Sequence, residues 1–224
     1  MSKLKNEINS ELVKSYGLEA GAGIVGIAAA GDFGLAPEGF RPSDALEGCR
    51  SVIVLGTPFE RQAFENPVVY TEMRNAMLKK MTATAKEVEK RIKAGGHKAK
   101  AISASGGKTV DGSLYGHISL KHAAQLAGLG IIGRNYLLIS PVHGTLLWLS
   151  AVLTDADLAP DEKIQWNICG GCDICAAACP SGALDDPAAF GKKACAQFFK
   201  IVNKKLEIQC CLCRKICPYA FGSK

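Results

Sequence analysis

The chain has 224 residues, 48% of them apolar, which is enough to bury one medium core and a small second one. No uninterrupted apolar run reaches about 18 residues, so no membrane span is expected. The N-terminal MSKLKNEINSELVK lacks the apolar stretch of a secretory signal, so a cytoplasmic protein is expected.

Taken in chain order, residues 3–16 read as an amphipathic helix ended by Gly17. Residues 23–30 (GIVGIAAA) and 51–56 (SVIVLG) are short apolar runs with β-branched residues and read as strands, with a loop from Gly31 to Pro42 between them. Residues 70–94 form the longest helical pattern. Met73, Met77, Met81, Ala85, Val88 and Ile92 recur every three or four positions and mark a core face. Lys79, Lys80, Lys86, Lys90 and Arg91 mark a solvated one, and Gly95-Gly96 ends the helix. A strand is predicted at 97–103, a helix at 118–127 closed by Gly128 and Gly130, and strands at 136–140 and 144–154. Asp155 to Lys163 reads as a linker, and the composition then turns cysteine-rich. The expected organisation is an α/β domain over 1–164 and a small ferredoxin-like domain over 165–224.

Two glycine motifs mislead. Gly21-Ala-Gly23-Ile-Val-Gly26 fits GxGxxG, but that motif cradles a pyrophosphate only between a strand and a following helix, and here the order is helix, glycines, strand. Gly107-Lys108-Thr109 resembles the end of a phosphate loop, but the glycine required at 102 is Ile102.

The cysteines carry the chemistry. Cys49 stands alone, and the other nine of the ten lie between Cys169 and Cys217. Cys169-x2-Cys172-x2-Cys175-x3-Cys179-Pro180 is the bacterial ferredoxin run: three cysteines curl around one cube and the fourth reaches a second. Pro180 suits a first helical turn, where no N–H partner is needed. Cys210-x2-Cys213-x3-Cys217-Pro218 repeats the end of that run, with its first member displaced upstream to Cys195. One 4Fe–4S cluster is therefore assigned to Cys169, Cys172, Cys175 and Cys217. The other is assigned to Cys195, Cys210, Cys213 and Cys179, leaving Cys49 and Cys211 spare. A helix is expected over 187–205, including Phe198, Phe199 and Val202. The alternatives, a four-cysteine zinc site or a secreted disulfide scaffold, fit nine clustered cysteines in this order poorly. The formal charge of +6 falls to roughly +2 once two clusters of about −2 each are counted, so it argues little for a polyanionic partner.

Linked clusters pass single electrons, so the first domain is expected to hold their acceptor. Its densest segment is Ala127-Gly-Leu-Gly-Ile-Ile-Gly-Arg-Asn135, whose glycines allow close backbone approach to a ligand or, equally, form a helix cap and turn. The displaced-cysteine ferredoxin run, this segment, Leu137-Leu138-Ile139 with the strand ending at Thr154-Asp155, Val25-Gly26-Ile27-Ala28 and Ser51–Gly56 together resemble epoxyqueuosine reductase over nearly the whole chain. The resemblance implies an α+β fold. A mixed-sheet domain of the nitroreductase and cobalamin-reductase kind would precede a two-cluster ferredoxin-like domain, with a layout similar to reductive dehalogenases. It also implies a cobalamin reduced by the clusters and bound near Gly128, Gly130, Gly133, Arg134 and Asn135.

Two departures shape the functional expectation. The family continues into a helical-repeat region that helps grip tRNA, whereas this sequence stops at Lys224. The family's Asp-x-x-Pro acid falls here on Leu114, with His117 at the proline position and Asp111 three residues too early. The expectation is therefore an iron–sulfur oxidoreductase of unknown substrate, whose candidate proton donors are Tyr115, His117 and Asp111. Cobalamin is its expected cofactor, with FMN as the alternative. The other readings are a non-catalytic electron carrier for a partner protein, such as a corrinoid protein, and a flavin-bound iron–sulfur reductase. A low-potential electron donor and a small-molecule or protein acceptor are expected as partners; tRNA is not. The oligomeric state stays open.

Overall fold

The computed structural model describes residues 8–103, 107–110, 113–202 and 205–223. The chain forms two compact units. The first takes the described residues of Met1–Thr57, Leu78–Leu129 and Trp148–Ile164; the second takes Pro58–Met77, Gly130–Leu147 and the described residues of Gln165–Lys224. The class is α+β, as expected, and the main sheet is antiparallel. No described helix is long and apolar enough to cross a membrane.

In chain order the elements are α1 (Ser10–Glu19), β1 (Ile24–Ala29), α2 (Pro42–Ala45), β2 (Ser51–Pro58), α3 (Pro67–Ala94) and β3 (Ala99–Ile102). Then come β4 (Lys108–Val110), β5 (Ser113–Tyr115), α4 (Leu120–Leu126), β6 (Ile131–Ile132), β7 (Leu138–Ile139) and β8 (Leu147–Thr154). The cysteine-rich part holds α5 (Ile174–Ala177), α6 (Lys192–Ala196), β9 (Phe199–Val202), β10 (Lys205–Ile208) and α7 (Leu212–Lys215).

In the first unit the sheet order is β1–β2–β8–β3. β1 pairs antiparallel with β2 from Ile24↔Gly56 to Ala29↔Ser51, and β3 with β8 from Ala99↔Thr154 to Ile102↔Ala151. Arg50, just before β2, donates its N–H to the carbonyl of Thr154, the last residue of β8, at 2.8 Å, so this central pair is antiparallel too. β2 is buried from Ser51 to Thr57 without alternation, because both faces of the sheet are covered. On one face α1 presses down at Gly17, where an added Cβ would meet Val25 at 2.7 Å and Leu55 at 2.8 Å. Gly17 therefore does not end the first helix; α1 runs past it to Glu19, and the glycine is what lets helix and sheet approach. On the other face Gly26 meets the end of α4, where a Cβ would lie 2.4 Å from the Ala127 carbonyl.

The stripe Met81, Ala85, Val88 and Ile92 of α3 is fully buried, as its periodicity predicts, while Met73 and Met77 are half-buried. α3 is tied to α1 by Thr84 Oγ1 donating to the Ala20 carbonyl at 3.1 Å and by Arg91, which donates to Glu19 at 2.5 Å.

β1 is an edge strand, and exposed edges invite unwanted pairing. The segment read as a linker closes it. Asp161 N–H donates to the Ile27 carbonyl at 2.9 Å, and Asp161 Oδ2 accepts the Ile27 N–H at 2.8 Å, so this residue mimics a fifth strand. Lys14 Nζ reaches the other carboxylate oxygen at 2.5 Å. Replacing Asp161 with alanine orphans the N–H of the fully buried Ile27, which is expected to lower stability by roughly 1–3 kcal/mol. Asp161→Asn keeps an acceptor and is expected to recover most of the loss. Urea titration followed by circular dichroism checks both variants.

In the second unit β6 pairs with β7, and β9 with β10, each antiparallel. The segment around Ser140–Leu146 is bonded to the end of the chain: Thr145 N–H donates to the Ala220 carbonyl at 3.1 Å, and Ser223 N–H donates to that of Pro141 at 2.7 Å. The helix expected over 187–205 is not formed. Its middle supplies only the short α6, after which Phe199–Val202 pair with Lys205–Ile208 as a hairpin. The run Phe-Lys-Ile-Val is aromatic and β-branched with a two-residue alternation, so strand chemistry outweighs the helical spacing of Phe198, Phe199 and Val202.

Candidate functional site

All ten cysteines are free thiols. Cys169 and Cys172 stand on the loop before α5, Cys175 lies within that helix, and Cys217 follows α7. These four line one pocket in the second unit; Arg134, Asn135 and Ile139 form part of its wall. Among the described residues no three His, Cys, Asp or Glu side chains converge on a point as a single-ion site requires. The four thiols instead stand around the pocket wall.

The thiols act on one another within two sets, Cys169, Cys172, Cys175 and Cys217 in one and Cys179, Cys195, Cys210 and Cys213 in the other. Burial holds Cys175 above the ordinary thiol range, and negative charge on Cys169, Cys217 and Cys172 adds to the effect. Burial also raises Cys217, against a backbone hydrogen bond from Tyr219, and Cys169 and Cys172 add to it. In the other group burial and then Cys179 and Cys210 raise Cys195. Cys213 is pushed up to about 12, mainly by burial; Arg214 opposes the shift, and Cys195, Cys210 and Cys179 add to it. Thiols that raise one another in this way repel as thiolates, so only a bound cationic centre lets all four ionise together.

Cys179 behaves differently. Burial pushes it up, but hydrogen bonds from the Ser181 hydroxyl and the N–H groups of Ser181, Ala183 and Leu184 outweigh burial and hold the thiol below its ordinary range. The turn after Cys179-Pro180 thus aims its donors at the sulfur. Cys211 is raised by burial and by Cys210 alone among the cysteines. Cys49 lies in the first unit and is pushed to about 11, chiefly by burial, with its thiol directed to the Ser51 carbonyl at 3.5 Å. Neither stands with the two groups.

The residues expected to contact a cobalamin or flavin are distributed differently. Gly128 has a φ of +69°, and a Cβ there would lie 2.3 Å from the Glu162 carbonyl; at Gly130 it would lie 2.3 Å from the Ile139 carbonyl. At Gly133 it would meet Ile139 Cδ1 at 2.4 Å. Each close approach is therefore to the chain itself. Arg134 donates its backbone N–H to Cys169 Sγ at 3.4 Å, and its guanidinium donates to the Asp185 carbonyl at 3.2 Å. Asn135, 3% exposed, donates Nδ2 to the Cys213 carbonyl at 3.2 Å and accepts the Leu137 N–H at 3.1 Å.

Three supports of the cysteine loops are absent from the sequence reading. Tyr136 takes a left-handed φ of +54°, which is costly for a non-glycine residue, and its hydroxyl donates to the Pro187 carbonyl at 3.1 Å. Thr145 Oγ1 donates to the Arg214 carbonyl at 3.2 Å, and the buried Arg214 guanidinium returns a bond to the Thr145 carbonyl. Only the charge of Arg214 beside Cys213 could have drawn attention beforehand.

Of the candidate proton donors, Tyr115 ends β5, 43% exposed and edge-on to Phe40 with ring centroids 6.0 Å apart. His117 is half-buried in the bend before α4. Both lie in the first unit. Asp111 lies outside the described residues. Leu114 is placed by its backbone in β5, paired with Thr109.

No protein-family model matches the chain. An epoxyqueuosine reductase of Synechococcus sp. (strain RCC307) is 36% identical over 105 residues, which is 43% of this chain and 33% of that protein. The chain thus spans about a third of the length of the first curated relatives it matches. The crystal structure of an epoxyqueuosine reductase with a tRNA-Tyr epoxyqueuosine-modified tRNA stem loop has a TM-score of 0.67 at 19% identity and covers 94% of this chain and 64% of its own. A reductive dehalogenase structure described as suggesting a mechanism for B12-dependent dehalogenation has a TM-score of 0.66 at 20% identity, covering 94% of this chain and 32% of its own.

The expectation that tRNA is not a partner is overturned by these relatives, one of which was solved with a modified tRNA stem loop. In sequence the chain resembles epoxyqueuosine reductases, and its α+β fold is one that they share with reductive dehalogenases.

Proposed function

We propose that this chain is an iron–sulfur oxidoreductase that holds one 4Fe–4S cluster on Cys169, Cys172, Cys175 and Cys217 and a second on Cys179, Cys195, Cys210 and Cys213. The observation that carries the reading is the pocket lined by four thiols, three from one short stretch and the fourth from beyond α7. Such a set suits a cube, in which each thiolate bonds a different iron atom, better than one tetrahedral ion, which needs all four sulfurs about 2.3 Å from a single point. When bound, the clusters supply one-electron reduction at low potential.

The chain's own residues do the rest. Arg134 N–H donates to a cluster thiolate, and such bonds disperse its charge. The donors around Cys179 favour the thiolate of that sulfur over the thiol. Arg214 places a fixed positive charge beside Cys213. Asn135 and Thr145 keep the second loop in place.

A corrinoid is the proposed acceptor, supported by the likeness of fold to a protein linked with B12 chemistry. Gly128, Gly130 and Gly133 are pressed against the chain, so no step is assigned to them. Arg134 and Asn135 are assigned to the cysteine loops rather than to the acceptor.

The proposed substrate class, supported by the names of the sequence relatives, is epoxyqueuosine in tRNA. Opening an epoxide reductively needs a proton at the departing oxygen, for which Asp111, Tyr115 and His117 remain the candidates. The test is anaerobic purification followed by iron and sulfide analysis, an absorbance spectrum and extraction of bound corrinoid or flavin. An assay of the reduced protein with added cobalamin and epoxyqueuosine-containing tRNA follows. Protein that takes up no iron on reconstitution sinks the cluster reading. Iron-loaded protein that leaves the tRNA unchanged sinks the substrate.

A further inference from the structure

The formal charge of the cysteine-rich segment is divided sharply. From Gln165 to Ala189, around the first three cysteines, there are three acidic residues and no Lys or Arg. From Phe190 to Lys224, which supplies Cys195, Cys210 and Cys213, there are eight basic residues against Glu207 alone. The excess of +7 in that last stretch is larger than the net +6 of the whole chain. Two clusters of equal charge leave this imbalance in place. One takes three of its four thiols from an acidic stretch of chain, the other three of its four from a basic one.

The β9–β10 hairpin lies between Cys195 and Cys210, the first two cysteines of the basic stretch. All four residues of β9 are exposed. Three of them are large and apolar: Phe199 is 40% exposed, Ile201 71% and Val202 39%. Side chains alternate along a strand, so Phe199 and Ile201 share one face. Single exposed apolar residues are common and mean little, but three in a four-residue strand, with Lys200 its single charge, make an apolar patch on a water-facing strand.

The hairpin is also held in a fixed place. Gln209 N–H closes its base on the Phe198 carbonyl at 2.7 Å, and Ile208 N–H donates to Thr71 Oγ1 at 3.0 Å. The exposed lysines of this stretch include Lys193, Lys200 and Lys215, on α6, β9 and α7. Lys200 lies on the face of β9 opposite Phe199 and Ile201. An exposed apolar strand in a stretch of chain rich in exposed positive charge has the composition of a transient protein-docking face, which joins apolar contact to charge steering.

We propose that β9, with Lys193, Lys200 and Lys215, is the docking face for a small acidic one-electron carrier protein that loads the cluster on Cys179, Cys195, Cys210 and Cys213. This rests on the cluster assignment made above. In the transfer the carrier's reduced centre loses one electron and the cluster gains it; no bond is made or broken and no proton moves. An acidic carrier is the occupant that the charge selects, and the exposed apolar strand favours a protein over an RNA, whose phosphates offer nothing to Ile201.

The probe is an acidic flavodoxin, whose flavin spectrum is distinct from that of the clusters. Its hydroquinone is mixed anaerobically with the reconstituted full chain in a stopped-flow instrument at low and high salt, and binding of the oxidised form is measured by calorimetry. High salt is expected to slow transfer by about tenfold or more, as steered association requires. Reversing Lys193, Lys200 and Lys215 together to glutamate is expected to weaken binding and slow transfer by a similar factor. Ile201→Ser is expected to weaken binding several-fold while leaving the salt dependence intact.

Dithionite, which needs no docking face, is the control and is expected to reduce the wild type and all variants alike. If dithionite reduces the clusters but flavodoxin transfer ignores both salt and charge reversal, the docking proposal falls and the cluster assignment stands. If dithionite bleaches nothing in the reconstituted protein, the cluster assignment itself has failed and takes the proposal with it. If charge reversal abolishes binding of a tRNA stem loop and leaves flavodoxin transfer unchanged, the face belongs to RNA and the proposal is overturned.

Discussion

Replacing Cys217 with alanine is expected to halve the iron bound by the chain, from about eight atoms to about four, while Cys211→Ala leaves it unchanged. Cys217 lies in the stretch of chain that carries Cys210 and Cys213, yet it lines the pocket of Cys169, Cys172 and Cys175. Cys211 is adjacent to Cys210, but no other cysteine perturbs it. The two variants therefore separate position in the sequence from position in space. The loss should exceed one iron, because a cube short of one thiolate is labile and because cluster binding is coupled to the folding of loops that have little core of their own. Cys179→Ala should remove the other cube, since it deletes a proposed ligand whose thiolate the hydrogen bonds of the Ser181, Ala183 and Leu184 N–H groups favour. Iron and acid-labile sulfide per chain, measured after anaerobic reconstitution, read all three. Four irons lost from Cys211→Ala, or none from Cys217→Ala, would show that the cysteines are wrongly divided.

The four cysteines that line the pocket were legible because ligand spacing is local and stereotyped. Residues 169–179 fix three thiols around one centre, and the proline after Cys179 and after Cys217 marks where each run ends. The main sheet was legible for a similar reason: Ile24–Ala29, Ser51–Pro58 and Leu147–Thr154 are apolar runs too rich in β-branched and aliphatic residues to be loops. What was not legible depends on partners far away in sequence. Gly17 reads as a helix stop, yet it lies inside α1 because Val25 and Leu55 come from strands that no local rule could place. Asp161 reads as linker and serves as an edge cover for Ile27. The segment Gly128–Asn135 reads as a ligand loop, since glycine clusters permit close approach, but the sequence cannot say whether a ligand or the chain itself makes that approach. Residues 187–205 read as a helix through the spacing of Phe198, Phe199 and Val202, but the pairing of Phe199–Val202 with Lys205–Ile208 makes a hairpin there.

Asn135→Leu is expected to be among the most damaging single changes outside the cysteines, although no cysteine is touched. Asn135 is nearly isosteric with leucine and is almost wholly buried, so the change alters hydrogen bonding more than volume. Two backbone groups lose their partners at once: the Cys213 carbonyl, which accepts from Asn135 Nδ2, and the Leu137 N–H, which donates to Oδ1. Each buried group left unpaired costs roughly 1–3 kcal/mol, and the two losses fall at opposite ends of one side chain that ties the turn after β6 to the second cysteine loop. Arg134→Ala is the contrasting case. Its N–H to Cys169 Sγ belongs to the backbone and survives, and its guanidinium bonds only exposed carbonyls of Asp185 and Asp186, so the cost should stay within about 0.5–1 kcal/mol. Urea midpoints and the rate of iron release to a chelator check the pair, with Asn135→Leu expected to lower the first and raise the second well beyond Arg134→Ala. Equal effects from the two variants would mean that the turn is held by residues other than Asn135. A neutral Asn135→Leu would mean that the second cysteine loop needs no support from it.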